Sequence, residues 1–340
     1  MDFIAECIEI KKERNKTMQK VRWAIAGTGN IANKFANAVK NADGAELVAV
    51  ASRKMETAKE FAEKYDIGKC FGSYQELAEY DGVDAVYVAL PHKFHAEHSI
   101  LFMRNGKNVL CEKPVTVNEK QFKEVRRVAE ENNVFLMEAV WTRFLPAMAK
   151  IKEIIASGKI GEVLELSADF CYNSSNFDHA IFDSECAGGG LLDVGIYGLN
   201  FASMFLGDEI TDVKASAYVN NNVDERLNVL LTYKNGAIAR VSSAITLAKP
   251  EDAWIYGSKG HIYLPRFYSI SEFDVVVDGK REKYSVPYKG NGFEEEIEEC
   301  NRCILAGKKQ SDIMSLNQTG IIMKLMDDIR KQIGVVYNVD

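Results

Sequence analysis

The chain has 340 residues, 47% of them hydrophobic and 27% charged, the composition of an ordinary globular protein. Roughly three quarters of the surface of so long a chain is buried on folding, so no disulfide or metal staple is needed, and the length predicts two domains. Forty-two Lys and Arg against forty-nine Asp and Glu leave a net charge of −7, which excludes a general nucleic-acid binder but not a local basic pocket for one small anion.

Residues 1–17 read as an N-terminal extension. The charged run Lys11-Lys12-Glu13-Arg14 follows the apolar residues instead of preceding them, unlike a signal peptide, and Met18 lies three residues before the first clear strand. From there strand and helix alternate. Val21–Ala26 is a short apolar strand, followed at once by Gly27-Thr28-Gly29-Asn30-Ile31-Ala32 and a helix that repeats Ile31, Phe35 and Val39 and stops at Gly44. Leu47–Ala51 is the next strand, with a helix from about Met55 to Tyr65; Ser73 to Glu76 has capping-box spacing and starts another. Val83–Leu90 reads as a buried strand before a helix through about Asn105. Asn108–Cys111, a helix from Asn118 to Asn132 and Val134–Glu138 complete the run. Continuous apolar strands each trailed by a helix predict a doubly wound parallel sheet, with its ligand crevice at the carboxyl ends of the strands.

After Pro146 the pattern changes. A helix to Ser157, stopped by Gly158, precedes β-rich runs at Val163–Tyr172, Thr211–Tyr218, Arg226–Tyr233, Ala237–Leu247, Trp254–Tyr256 and Asp274–Val277. Lys234-Asn235-Gly236 joins two of them as a hairpin. The expected division is a Rossmann domain at residues 18–140 and an α+β domain with a large, mostly antiparallel sheet at 141–340. The most apolar stretch, Ala187 to Gly207, is broken by glycines and by Asp193, so no membrane span is expected. Seven cysteines without regular spacing fit a reducing cytoplasm, and Cys300/Cys303 fall in a helical stretch, Phe293 to Ala306, as buried thiols.

The glycine loop follows a strand and opens a helix, the context in which G-x-G-x-x-A predicts a dinucleotide site. Gly27 allows the tight turn, Gly29 lets backbone approach a pyrophosphate, Ala32 lets helix and strand pack closely, and the helix start at Asn30 and Ile31 offers free N–H groups. A carboxylate about twenty residues on would bind a free ribose 2′-hydroxyl. This chain has Ser52, Arg53 and Lys54 there instead, which favours the 2′-phosphate of NADP.

Two further motifs carry chemistry. Glu112-Lys113-Pro114 ends a buried strand at the ligand edge, and the proline restricts the backbone of Lys113. Gly188-Gly189-Gly190 leads to Asp193 and Tyr197, four residues apart on an apolar helix. By spacing alone that pair is equally a substrate site or a capping aspartate with a core tyrosine.

Together, the glycine loop, Glu-Lys-Pro and Gly-Gly-Gly-Leu-Leu-Asp-Val-Gly-Ile-Tyr resemble the glucose–fructose oxidoreductase/inositol dehydrogenase (Gfo/Idh/MocA) family. The resemblance runs from Val21 to the end of the chain and includes Met137–Pro146, Tyr288–Glu296 and Gln332–Tyr337. Tyr197 stands where many members carry histidine, which resembles the branch of dimeric dihydrodiol dehydrogenases and NADP-dependent sugar dehydrogenases. The resemblance implies hydride transfer between a nicotinamide and a carbinol carbon of a sugar, polyol or vicinal diol. It implies that Lys113 and Tyr197 act on the carbinol while Asp193 orients the site. It further implies cofactor contacts from Leu90, Pro91, His92, His95, Glu112, Lys113, Trp141 and Arg143, and a homodimer across the second domain's open sheet. Lys113 is expected to lower the Tyr197 phenol toward neutrality, making it the general acid/base. Related sequences often carry arginine before the triple glycine; here only His179 offers a substrate contact. His92, His95 and His98 drift around a helix and do not converge, so no metal is expected. A C=C reductase resembling biliverdin reductase and a non-catalytic NADP-binding regulator are the alternatives; Lys113 with Tyr197 favours carbinol chemistry.

Overall fold

The strands of the first sheet are largely apolar because helices cover both of its faces. In the computed structural model, which describes residues 20–174 and 180–340, β1 (Val21–Ala26), β2 (Ala45–Ala51), β3 (Lys69–Phe71), β4 (Ala85–Val88), β5 (Asn108–Glu112) and β6 (Leu136–Ala139) form one parallel sheet in the order β3-β2-β1-β4-β5-β6. The order reverses between β1 and β4, so their carboxyl ends open a crevice between the connections that leave in opposite directions. Intervening helices cover both faces. Ser73 caps the helix Tyr74–Glu79 by accepting the Glu76 N–H at 3.2 Å, and Asn118 caps Glu119–Glu131 by accepting that of Gln121 at 2.8 Å.

A second sheet runs β14-β13-β12-β11-β7-β10-β9-β8. Its members are β7 (Val163–Cys171), β8 (Ile210–Asn220), β9 (Val223–Tyr233), β10 (Ile238–Ala244), β11 (Ala253–Gly257), β12 (Gly260–Leu264), β13 (Glu272–Val277) and β14 (Lys280–Ser285). The pair β7–β10 is parallel and every other pair antiparallel. Leu166, Ala168, Val229, Val241 and Ile255 point into the core, whereas Tyr218, Leu230, Ile238 and Tyr256 stand exposed on the opposite face. Against the inner face lies the helix Ile196–Leu206; a Cβ on Gly198 would come within 2.5 Å of Val241. This apolar segment belongs to the one described helical stretch, Ser184–Leu206, long and apolar enough to cross a membrane, but 78% of its apolar window is buried within the protein.

Three strands lie outside the expected runs. β3 has only three residues, β12 contains Gly260 and His261, and β14 reads Lys-Arg-Glu-Lys-Tyr-Ser on the sheet edge, where charge is tolerated and guards against further pairing. The chain then returns to the first sheet. Helix Glu294–Leu305 packs on β1 and β2, where the Trp23 indole donates to Asn301 Oδ1 at 2.9 Å, and helix Leu316–Ile333 packs against Glu119–Glu131 and β8. Cys300 and Cys303 are buried on the former helix, and all six described cysteines are free.

Candidate active site

The crevice between β1 and β4 holds a cavity of about 380 Å³. Its floor is the glycine loop. Gly27 has φ +111°, and a Cβ there would sit 2.3 Å from the Ala89 carbonyl oxygen, so neither the turn nor the space admits a side chain. Gly29 faces open space and starts the helix Asn30–Val39 with no side-chain cap. The exposed N–H groups at that end therefore face the cavity, which Gly29, Asn30 and Ile31 line, and they suit the pyrophosphate of a dinucleotide. Thr28 is half-buried beside them. At the end of β2, Ser52 shares a 2.8 Å hydrogen bond with Thr57, while Arg53 and Lys54 are exposed.

Leu90, Pro91, His92 and His95 form the adjoining wall. His92 Nδ1 lies 3.0 Å from the Ala187 carbonyl of the second domain. Burial and the Lys113 charge lower its pKa. His95 is fully buried between the carbonyls of Pro114 (2.7 Å) and Leu90 (2.6 Å), bracing the ends of β4 and β5; burial, joined by His92, pulls it down to about 4. Among the described residues, no group of three or more His, Cys, Asp or Glu is placed to hold a metal.

Lys113 enters from the end of β5, with Glu112 buried behind it. One Glu112 oxygen accepts from the Tyr87 hydroxyl and the other from the Lys113 N–H at 3.2 Å. Lys113 Nζ donates to the Asp193 backbone carbonyl at 2.5 Å and to Asp193 Oδ1 at 3.2 Å. The carbonyl faces the lysine from a wide π turn, Leu191–Gly195, where the spacing predicted plain α-helix; such turns are frequent at functional sites. Burial pulls the Lys113 pKa down, but Asp193 and its other acidic neighbours outweigh burial and leave it raised. Burial would raise Asp193, yet Lys113 and His92 hold it below the usual carboxylate range.

The Lys113 ammonium lies 5.2 Å from the centroid of the Tyr197 ring, and the Trp141 indole donates to the Tyr197 hydroxyl at 3.2 Å. Lys113, Asp193 and Tyr197 are thus brought together. The expected lowering of the phenol does not follow: Lys113 pulls it down, but burial is the larger effect and leaves its pKa above 10. Trp141 sits behind Tyr197, stacked on Phe293 at 5.3 Å. Arg143 is placed apart from the cavity, buried with Asn200 Oδ1 at 3.0 Å and the Ile313 carbonyl at 3.2 Å. His179 and residues 1–17 lie outside the described residues.

Two contributors escaped the reading of the sequence. Tyr172 donates to Asp193 Oδ2 at 2.7 Å, and buried Asp224 on β9 accepts the Leu191 N–H at 2.6 Å. Gly189, φ +136°, lies so close that a Cβ would meet Asp224 Oδ1 at 2.2 Å. The signals were faint: a tyrosine closing an apolar strand, and an acid where β9 begins.

The family described as "Oxidoreductase family, NAD-binding Rossmann fold" matches residues 21–140, and the Gfo/Idh/MocA C-terminal domain matches residues 148–263. Trans-1,2-dihydrobenzene-1,2-diol dehydrogenase of Xenopus laevis is 38% identical over 328 residues, covering 93% of this chain and 99% of the relative. The Homo sapiens protein of that name is 33% identical over 335 residues, with 94% and 99% covered. A 3-ketoreductase from Actinomadura kijaniata, crystallised with NADP and TDP-benzene, superposes with a TM-score of 0.86 at 27% identity, covering 92% of this chain and 98% of that one. Aldose–aldose oxidoreductase from Caulobacter crescentus (TM-score 0.85, 22% identity, 92% and 97% covered) shares the fold. With the glycine loop, Glu112-Lys113-Pro114 and the Asp193–Tyr197 helix placed around one crevice, the chain belongs to the Gfo/Idh/MocA family of NAD(P)-binding oxidoreductases.

Proposed function

We propose that this protein is an NADP(H)-dependent dehydrogenase that interconverts a carbinol and a carbonyl on a sugar, polyol or vicinal diol. The observation that carries the reading is Lys113, clamped by Asp193 and 5.2 Å from the Tyr197 ring, at the cavity lined by the glycine loop. The cofactor, when bound, supplies or accepts the hydride. The uncapped helix start at Asn30 and Ile31 suits its pyrophosphate. Arg53 and Lys54, with no acid at the end of β2, suit a 2′-phosphate.

This chain's own groups handle the proton. In reduction, Tyr197 gives its phenolic proton to the carbonyl oxygen as the carbon is reduced, and the Lys113 ammonium stabilises the negative charge developing on that oxygen. In oxidation the same groups run in reverse, and Tyr197 must first lose its proton. The dihydrodiol dehydrogenase relatives and the NADP-bound ketoreductase support both the substrate class and the cofactor. Copies of the chain pair through the open face of the second sheet, on the strength of exposed Tyr218, Leu230 and Ile238 there. Free thiols and an odd cysteine count support a cytoplasmic setting.

A screen of NADP⁺, with NAD⁺ in parallel, against aldoses, inositols and trans-1,2-dihydrobenzene-1,2-diol tests the reading. Turnover of at least one of them with preference for NADP⁺ is expected. Activity only with NADPH on enones would overturn it in favour of C=C reduction, and tight NADPH binding with no turnover would mark a regulator.

A further inference from the structure

Asp193 divides its two carboxylate oxygens. Oδ1 takes Lys113 Nζ at 3.2 Å and Oδ2 takes the Tyr172 hydroxyl at 2.7 Å. Tyr172 is well placed to hold its end of this arrangement. It follows β7, its N–H donates to the Ala244 carbonyl at the end of β10 (3.0 Å), and its ring packs on the apolar cluster of Ile181, Val223 and Ile245. Ile181 in turn lines the cavity.

We infer that Tyr172 is a positioning residue that restrains Asp193 so that Lys113 keeps one N–H for the substrate oxygen. The inference rests on the reading of Lys113 and Tyr197 given above. An ammonium has three N–H donors. Among the described residues, two of those on Lys113 go to the carbonyl and Oδ1 of Asp193. Were Oδ2 without its phenol partner, a carboxylate turned toward Lys113 would compete for the third. A phenol also suits the task because it stays protonated: burial and the Asp193 charge raise the pKa of Tyr172. Its hydrogen bond helps to hold Asp193 ionised. The groups that face Asp193 are Lys113 and Glu112 from the end of β5, His92 from the wall, Tyr197 from its own helix and Asp224 from β9.

Tyr172→Phe removes the hydroxyl and keeps the ring in its apolar cluster. With trans-1,2-dihydrobenzene-1,2-diol or the best substrate of the screen, kcat is expected to fall about tenfold to a hundredfold. NADPH affinity, followed by fluorescence titration, should stay within about twofold. In the reverse, carbonyl-reducing direction, where Tyr197 already carries its proton, the acid limb of the kcat/KM profile should move to higher pH, because Asp193 has lost a donor to its charged form. In an Asp193→Asn background the same change should cost little more, since Tyr172 acts through Asp193. Wild-type kcat with an unmoved acid limb, or a loss of equal size in the Asp193→Asn background, would overturn the inference. Tyr197→Phe run alongside separates the two readings. If it too retains wild-type turnover, the assignment of the site fails; if it alone is inactive, only the role of Tyr172 fails.

Discussion

The Tyr197 hydroxyl accepts the Trp141 indole N–H at 3.2 Å, and the residue is 8% exposed. At that depth the cost of burying a phenolate exceeds the help of the Lys113 cation, and the group rests as a neutral phenol. A neutral phenol is a ready acid and a reluctant base, so the two directions of reaction should respond differently to pH. Carbonyl reduction is expected to be level across pH 6–9, while carbinol oxidation rises with pH through that range. Initial rates in both directions check this, and an oxidation rate that levels off below neutrality would contradict it. Tyr197→Phe should lower kcat on the order of 10²- to 10⁴-fold in either direction. At the other end of the crevice, if Arg53 takes the 2′-phosphate as proposed, Arg53→Ala should weaken NADPH binding on the order of tenfold to a hundredfold while moving NADH binding less. Paired titrations measure the ratio, and equal losses for both cofactors would argue against NADP selectivity at this position.

At the scale of elements, the lysine depends on how the strand carrying it is anchored. Buried Glu138 on β6 accepts the Val115 N–H at 2.9 Å, two residues beyond Lys113. Burial raises the Glu138 carboxyl to about 7, against the opposing pull of that hydrogen bond. The folded protein therefore holds a proton that the unfolded chain releases near pH 4.3. The stability this lends is full below that pH and is lost as pH rises through about 7. Glu138→Gln carries no such proton. Its Tm should gain on that of the wild type between pH 5 and pH 8, by the equivalent of about 2 kcal/mol, and parallel Tm curves would refute this. The elements themselves were largely legible in advance: from β1 to β6 every expected strand and helix is present, because buried parallel strands are continuous apolar runs. β14 was not legible, because an edge strand needs no apolar pattern. Nor was the π turn at Leu191–Gly195, whose backbone is held by Asp224 and Lys113 from distant parts of the chain.

At the scale of the whole molecule, the outer face of the second sheet is left uncovered by the other described residues. On the outer side of the second sheet Tyr218 is 52%, Leu230 48% and Ile238 45% exposed. Arg226 lies over the Tyr218 ring at 4.2 Å. A pairing of copies through this face predicts that Leu230→Asp, which places a charge amid the patch, converts a dimer into a monomer in sedimentation velocity. A wild-type monomer at micromolar concentration would remove the proposal. The distant helix Glu294–Leu305 closes the molecule differently, returning to β1 through Trp23 and Asn301.

By itself the sequence determined the doubly wound sheet, the glycine loop at its switch point and the motifs that carry Lys113, Asp193 and Tyr197, whose proposed roles come from the family resemblance. These are properties of local pattern: apolar period, a helix start after a strand, and a proline after a lysine. Only the tertiary structure decided how those groups are charged and held. The Lys113–Asp193 clamp spans eighty positions, and the burial that keeps Tyr197 neutral is the sum of packing from Trp141, Phe170 and Tyr268 around it. Contacts at that separation leave no periodic trace in the chain. Desolvation, which reversed the expected direction at Tyr197, is a property of the closed interior and of no residue taken alone.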